Sequence, residues 1–244
     1  MKILIASAFL LSQLTYAVSH DSLLNQAPRS CEETPLPIEK IDWPEDGIMR
    51  PPLKECDDIK EVSYSGFKIK GCYDSNRIMI LLNGTSAPCA FYKDVQLEAA
   101  RRGYLTICPE DGNVGSGREG VRAFEYLRGK GSKSETILVT GHSQGGHGAA
   151  STALRLQRKY PYLTVDILPV FPYFWNLYWP GSIQSFPEIK GRKLVLRGTK
   201  DTTSDMTIVA RGYNQLSEPK KMIEVETSHL RFNPYWSDLL KNFD

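Results

Sequence analysis

One short segment constrains the fold of this chain more than any other. Thr136–Thr140 is an apolar run of strand length, and it leads directly into Gly141-His142-Ser143-Gln144-Gly145-Gly146. The next residues, Gln144–Lys159, are rich in small side chains and are predicted to form a helix. A G-x-S-x-G sequence between a strand and a helix is typical of a sharp turn that holds its serine in a strained conformation above a sheet. Ser143 is therefore the candidate nucleophile, although a plain glycine-rich helix start has the same local sequence.

Strands and helices alternate along the chain after residue 60, and this order predicts the fold class. A hairpin is expected over Glu61–Cys72, with its turn at Gly66. Further strands are predicted at Arg77–Leu82, Tyr104–Cys108, Thr136–Thr140, Val165–Val170, Lys193–Leu196 and Met222–Val225. Helices are predicted at 88–102, 116–129, 144–159, 203–216 and 234–242. The alternation implies an α/β protein whose mostly parallel sheet carries helices on both faces.

The amino terminus has the pattern of a secretory signal peptide. Lys2 precedes a short apolar run, and Ala17 stands at a plausible cleavage point. The run is too short for a membrane span, which takes roughly 20 residues. We therefore divide the chain into a signal peptide at 1–17, a proline-rich irregular arm at 18–60 and a catalytic domain at 61–244. The mature protein is expected to be secreted or periplasmic.

Export gives the cysteines a structural meaning, because disulfides persist outside the cytoplasm. All five cysteines follow the predicted cleavage site, and none belongs to a C-x-x-C pair that would suggest a metal site. The sequence does not determine the pairing. We expect Cys31–Cys56, which would hold the arm, and Cys89–Cys108, which would join a helix start to a strand end.

The charge balance limits the classes of partner. Lys and Arg number 30 and Asp and Glu number 28, so the formal net charge is +2 and no basic face is evident. Nucleic acid is therefore a poor candidate, because its phosphates require concentrated positive charge. No segment after the signal peptide is long and apolar enough for an integral membrane span, and the oligomeric state is left open.

A serine nucleophile needs a general base and an acid that orients this base. His229 lies in the loop after the last strand, whereas His142 and His147 adjoin the serine and are expected to have packing or helix-surface roles. Asp201 follows Lys193–Leu196 at a turn leaving the sheet. Asp205 is the alternative acid, although the pattern places it inside the next helix. The predicted triad is Ser143, Asp201 and His229.

Two backbone amides are expected to form an oxyanion hole. One is the amide of Gln144, directly after the nucleophile, and the other is that of Thr85 in the loop that follows Leu82. Ser86 is close behind Thr85 as a donor, and we also expect it to contact substrate. Asn83-Gly84-Thr85 is a glycosylation sequon, but a buried strand end would be a poor acceptor.

An aromatic segment lies between Val170 and Gly191. Phe174, Trp175 and Tyr178 are predicted to form an apolar wall for an acyl chain or an aromatic group, and ordinary core packing is the alternative. Prolines in the same segment argue against a large helical lid. The expected cleft is therefore shallow and open.

These motifs together resemble the α/β-hydrolase fold, and within it a bacterial branch of dienelactone hydrolases, chlorophyllase-like enzymes and cutinase-like polyester hydrolases. The resemblance rests on Leu81–Thr85, Tyr104–Asp111, Gly115–Glu119, Gly141–Gly146, Gly198–Asp201 and Ser228–Leu230. It implies ester hydrolysis by Ser143, Asp201 and His229 without a metal or organic cofactor, on a small-molecule, lipid or polymer ester. Residues 18–60 have no counterpart, and dienelactone hydrolases carry a cysteine nucleophile, which disfavours a dienelactone substrate. A serine peptidase, an acyltransferase or a non-catalytic binding module are the alternatives.

Overall fold

A computed structural model describes residues 36–54, 56, 58–110, 114–174 and 183–244. The strands are β1 (Lys60–Tyr64), β2 (Phe67–Gly71), β3 (Arg77–Leu82), β4 (Leu105–Pro109), β5 (Thr136–His142), β6 (Thr164–Val170), β7 (Lys193–Gly198) and β8 (Lys220–Val225). They form one sheet in the order β1-β2-β4-β3-β5-β6-β7-β8. Only β2 runs antiparallel to its neighbours, so the carboxyl ends of the other strands point to the same edge. The predicted mostly parallel sheet is confirmed.

The helices follow the predicted alternation; the one at Gln144–Lys159 has the predicted bounds, and the other four are shorter than predicted. The helices are α1 (Lys93–Arg101), α2 (Arg118–Gly129), α3 (Gln144–Lys159), α4 (Met206–Tyr213) and α5 (Trp236–Leu240). Short 3₁₀ turns at Cys89–Tyr92, Val114–Ser116 and Asn233–Tyr235 precede α1, α2 and α5, and another covers Ile183–Glu188. Several predicted helices thus begin with a tighter turn, as helix ends commonly do.

The central strands β3, β4 and β5 are buried on both faces, which explains their apolar sequences. Along β3, Ile78 and Ile80 belong to the core layer that contains residues of α2, α3 and α4. The alternate residues Met79 and Leu81 belong to the layer that contains residues of α1 and α5. The prediction of helices on both faces is therefore confirmed.

The β1–β2 hairpin shows how local sequence determines a turn. Its two turn residues, Ser65 and Gly66, have φ angles of 52° and 80°. A two-residue turn with positive φ at both positions matches the twist of paired antiparallel strands. The predicted hairpin is confirmed, and β1 forms an exposed edge of the sheet.

The disulfides agree with one of the two predicted pairs. Cys89–Cys108 is present, whereas Cys56 is bonded to Cys72, so the predicted Cys31–Cys56 pair is wrong. The physical reason is the path of the chain before Cys56. The Arg77 Nε atom donates to the Pro51 carbonyl at 2.8 Å, which holds this segment beside the turn after β2.

The described part of the arm, residues 36–54 with 56, 58 and 59, contains neither helix nor strand. It is tied to the carboxyl-terminal helix region, where the amide of Ile41 and the indole of Trp43 hydrogen-bond to Asn242. The predicted signal peptide and Cys31 lie outside the described residues. Within the part of the chain that is described, no helix is long and apolar enough to cross a membrane.

Candidate active site

Ser143 occupies a strained turn at the carboxyl end of the central strand β5. Its φ and ψ angles are 56° and −119°, a region that non-glycine residues rarely adopt. The Ser143 amide donates to the Val170 carbonyl at 3.0 Å, and its carbonyl accepts from the Tyr173 amide at 3.0 Å. These two hydrogen bonds hold the turn against the end of β6 and the residues that follow it. The serine itself is half-buried.

Two glycines allow this turn to pack against the neighbouring loop. A Cβ atom on Gly141 would lie 2.4 Å from the Gly145 carbonyl oxygen. One on Gly145 would lie 2.1 Å from the carbonyl oxygen of Leu82 at the end of β3. Neither contact is possible for a larger residue without moving backbone. The G-x-S-x-G spacing is thus explained by the close approach of β3, β5 and α3.

Asp201 and His229 come together from the loops that follow β7 and β8. The His229 Nδ1 atom lies 2.7 Å from the Asp201 Oδ2 atom. The Asp201 side chain is fully buried, whereas 14% of the His229 side chain is exposed. The other carboxylate oxygen accepts hydrogen bonds of 2.8 Å from the amides of Thr203 and Ser204. This arrangement leaves the Nε2 atom of His229 available to a reacting group.

The surroundings of Asp201 favour its ionised form. Burial alone would raise its pKa, but the hydrogen bonds from His229 and from the Ser204 and Thr203 amides outweigh burial, so the pKa lies below its usual value. An ionised carboxylate at this place can only accept, so the Nδ1 atom of His229 carries the hydrogen. It therefore fixes the tautomer in which Nε2 can accept a proton.

Asp205, the alternative acid, has a different role. It is the N-cap of α4, not an interior residue as the pattern suggested, because its carboxylate accepts the Ile208 amide at 3.0 Å. This bond satisfies one of the free amides at the helix start. The contact with His229 is made by Asp201.

The loop that was expected to supply the second oxyanion donor lies against the nucleophile turn. The Thr85 hydroxyl donates to the side-chain oxygen of Gln144 at 2.9 Å. Ser86 is exposed and has a φ of 60°. The Gly84 amide donates to the Tyr92 hydroxyl at 2.9 Å, so it is already engaged. The structure thus brings Thr85 and Gln144 together, and their role as oxyanion donors stays a prediction.

His142 contributes more than the packing that its sequence position suggested. It is buried, and its ring centroid lies 4.6 Å from that of His229 and 4.3 Å from that of Phe232. Its Nε2 atom lies 2.8 Å from the His229 carbonyl oxygen, and its Nδ1 atom 3.2 Å from the Tyr92 hydroxyl. Sequence reasoning missed Tyr92 entirely. The only available signal was that a buried tyrosine hydroxyl needs a partner.

Phe174 packs in the core, which was the alternative to a role in an aromatic substrate wall. Its ring is fully buried and packs edge-on against Phe186, with centroids 5.7 Å apart. A Cβ atom on Gly212 of α4 would lie 2.2 Å from this ring, so the phenyl group fills the space that the glycine leaves. Trp175 and Tyr178 lie outside the described residues.

Burial separates two kinds of polar group in this region. The acid Asp201 and the ring of His142 are shielded, whereas Ser143 and His229 remain partly exposed at the carboxyl edge of the sheet. Ligands bind at this edge in open parallel sheets. Among the described residues, no three His, Cys, Asp or Glu side chains are grouped as metal ligands. The arrangement suits a serine activated by a neutral histidine.

Solved structures with a similar fold include esterases, although no protein-family model and no curated protein matches this chain in sequence. The esterase Pf2001 of Pyrococcus furiosus is 17% identical, with a TM-score of 0.56 over 80% of this chain and 96% of its own. The esterase domain of a Rhodothermus marinus protein is 14% identical, with a TM-score of 0.55 over 76% and 96%. An inferred dienelactone hydrolase of Klebsiella pneumoniae is 14% identical, with a TM-score of 0.58 over 73% and 90%.

These similarities, together with the strand order, establish that the chain has the α/β-hydrolase fold. The fold prediction is confirmed. The sequence identities are too low to carry over a reaction, because one fold hosts many activities.

Proposed function

We propose that this protein is a carboxylic ester hydrolase that uses Ser143, His229 and Asp201 as a catalytic triad. One observation carries the proposal: the buried Asp201–His229 pair, joined at 2.7 Å, lies at the same edge of the sheet as the strained Ser143 turn. His142 links the two, since it precedes Ser143 in the chain and its ring contacts His229. A serine, a base and an orienting acid are the groups that nucleophilic acyl transfer needs.

In the proposed reaction, the Ser143 Oγ atom attacks the carbonyl carbon of the ester while His229 Nε2 takes the hydroxyl proton. Asp201 stabilises the imidazolium that forms. The tetrahedral intermediate then collapses, and His229 gives its proton to the departing alcohol. Water next attacks the acyl-enzyme with His229 again as base. Release of the acid returns the proton to Ser143.

The developing oxyanion would be stabilised by the backbone amides of Gln144 and Thr85. The hydrogen bond between the side chains of these two residues supports this role, because it holds the two loops next to each other. Preorganised amides of this kind lower the barrier by about 3–4 kcal/mol each. Ser86, exposed beside Thr85, is proposed to contact the substrate.

The setting of the reaction is proposed to be the periplasm or the exterior of the cell. The disulfides Cys56–Cys72 and Cys89–Cys108 support this location, because such bonds persist in oxidising compartments. Candidate substrates are small-molecule, lipid or polymer esters. The esterases among the structural neighbours favour an ester over other acyl compounds.

A p-nitrophenyl ester series from acetate to palmitate tests the proposal. Ser143→Ala is expected to lower kcat by about 10⁴–10⁶-fold, because no other group replaces the nucleophile. Ser63→Ala, a matched change in the exposed strand β1, should leave kcat unchanged. Near wild-type turnover by Ser143→Ala would contradict the triad.

The chain-length profile separates the alternatives. An optimum at short acyl chains fits an esterase with an open cleft, and a long-chain optimum fits a lipase. A folded protein that hydrolyses no ester would instead point to a peptidase, an acyltransferase or a binding module.

A further inference from the structure

His142 joins three loops through hydrogen bonds that span long distances in the chain. Its Nε2 atom lies 2.8 Å from the carbonyl oxygen of His229, 87 residues away. Its Nδ1 atom lies 3.2 Å from the hydroxyl of Tyr92, 50 residues away. That hydroxyl in turn accepts the amide of Gly84 at 2.9 Å. The ring therefore stands between the loop of the base and the loop of the expected oxyanion donor.

The chemistry of these partners determines the tautomer of His142. A backbone carbonyl can only accept, so the His142 Nε2 atom must carry the hydrogen. In a neutral ring, Nδ1 is then an acceptor, and the Tyr92 hydroxyl donates to it. The Tyr92 oxygen remains free to accept the Gly84 amide. Every donor in this chain of bonds meets an acceptor.

The surroundings keep the ring neutral. Burial and, to a smaller extent, the nearby His229 ring lower the pKa of His142 to about 3, and they outweigh the His229 carbonyl and Asp201, which would raise it. Phe232 and Phe171 also contact the ring, with centroids 4.3 Å and 6.3 Å away. A protonated ring would have no acceptor for its second hydrogen among these neighbours except the Tyr92 oxygen, which already accepts from Gly84.

We propose that His142 is a positioning residue whose neutral Nε2–H tautomer holds the His229 loop at the nucleophile turn and, through Tyr92, aligns the loop that carries Thr85. This inference rests on the proposed function and extends it. His142 does not touch the reacting atoms. It acts through the backbone of His229, whose side chain is oriented at its other end by Asp201. The base is thus fixed from two sides, by its ring and by its carbonyl.

Four variants separate the two hydrogen bonds of His142. Gln places an N–H near the position of Nε2 and so keeps the donor to the His229 carbonyl. Asn is too short for that bond and keeps only an acceptor near Nδ1, and Phe keeps only the ring. Tyr92→Phe removes the link to Gly84 while the bond to His229 remains. His147→Gln, which replaces another buried histidine away from this chain of bonds, is the matched control.

Steady-state kinetics with the best p-nitrophenyl ester gives the first readout. His142→Asn and His142→Phe are expected to lower kcat by about 10–100-fold with little change in KM, because a displacement of about 1 Å at the base has an effect of this size. His142→Gln should restore kcat to within about fivefold of the wild type. Equal losses in all three variants, or no loss in His142→Phe, would overturn the proposal.

A second readout does not depend on turnover or on the folding of a variant. The ¹⁵N shifts of the His142 ring in the wild-type protein report which nitrogen carries the hydrogen. The expected result is a hydrogen on Nε2 and a bare Nδ1 down to about pH 5, well below the ordinary histidine pKa. A hydrogen on Nδ1, or titration near the ordinary value, would overturn the inference. If this result holds while no ester is cleaved, the proposed function fails and the hydrogen-bond arrangement stands.

Discussion

Among the described residues, two aspartates are buried, and their environments differ in an instructive way. Asp201 follows β7 at the carboxyl edge of the sheet, and Asp166 is the third residue of β6, near the opposite edge. Asp166 accepts hydrogen bonds from the guanidinium groups of Arg50 and Arg192 and from the Arg192 amide, at 2.7–3.2 Å. Asp201 has one ionisable partner, His229.

The difference lies in whether the partner can change its charge. Arginine stays protonated at any ordinary pH, so the charge of both partners of Asp166 is permanent. The ion pairs of Asp166 with Arg50 and Arg192 fix the arm at Arg50 to the sheet. A histidine can both accept and give up a proton, which is what the proposed reaction requires of the Asp201–His229 pair. Burial of a carboxylate therefore does not distinguish the structural Asp166 cluster from the proposed catalytic acid Asp201. The partner and the edge of the sheet do.

The largest expected effect is on catalysis at Asp201. Asp201→Asn should lower kcat by about 10³–10⁴-fold, because the amide no longer stabilises the imidazolium or holds the required tautomer. The free energy of unfolding should change much less than in the Asp166 variant below. Steady-state kinetics and urea unfolding measure the two quantities.

Asp205→Asn is the matched control for this prediction. Asn and Asp are comparable N-caps, so α4 should keep its stability, and the wild-type rate should remain. A large loss of rate in Asp205→Asn combined with an active Asp201→Asn would move the acid to Asp205 and break the comparison.

Asp166→Asn should have the opposite signature. Without the carboxylate, the buried guanidinium of Arg192 loses the ion pair with Asp166, while Arg50 keeps its ion pair with Asp46, so the protein should lose about 3–5 kcal/mol of stability. The kcat of the folded variant should stay within about twofold of the wild type, since stability and rate are separate here. Urea unfolding and kinetics at low temperature test this.

Asp46→Asn is a control with a smaller expected loss of stability, because Arg50 would still be paired with Asp166. A marked drop in kcat for the folded Asp166→Asn variant would mean that the structural cluster is coupled to the active site.

Local sequence carried most of the fold. The Ser65-Gly66 turn, the apolar run of β3 and the passage from β5 through Ser143 into α3 follow from turn chemistry and periodicity between near neighbours. The parallel direction of most strands also follows, because a helix between two strands brings the chain back to the same end of the sheet. For the same reason, the loops that carry Asp201 and His229 could be located at strand ends.

Some long-range contacts could not be predicted. The partner of Cys56 depends on how residues 51–54 run past Arg77, and the Tyr92–His142 contact joins residues 50 positions apart. From its sequence, Phe174 was expected to face the substrate. Its ring packs against Gly212, and a glycine gives no indication in the sequence that an aromatic ring lies over it. These contacts are determined by packing in three dimensions, so they produce no periodic pattern in the sequence.

The smallest predicted effect is on the pH dependence of stability. It concerns His142, which is buried and titratable like the two aspartates. In the unfolded chain, a histidine has its ordinary pKa near 6.5, whereas His142 in the folded protein has a pKa of about 3. Between these values the unfolded state binds the proton and the folded state does not, so stability falls as pH decreases. The free energy of unfolding is not reduced by this proton above about pH 6.5, and it is lower by about 2 kcal/mol at pH 5.

His142→Gln isolates this effect, because it removes the titrating ring while the charged and titratable groups around it, His229, Asp201 and Tyr92, remain. Urea unfolding at pH 7 and pH 5 should therefore show a loss of stability about 2 kcal/mol smaller in the variant than in the wild type. The same pH dependence in both proteins would mean that His142 accepts a proton in the folded state. The buried His142 ring would then carry a charge that its surroundings tolerate, as the buried guanidinium of Arg192 does beside Asp166. Buried permanent charge would then be found at both edges of the sheet, and the type of partner would no longer distinguish the Asp166 edge from the Asp201 edge.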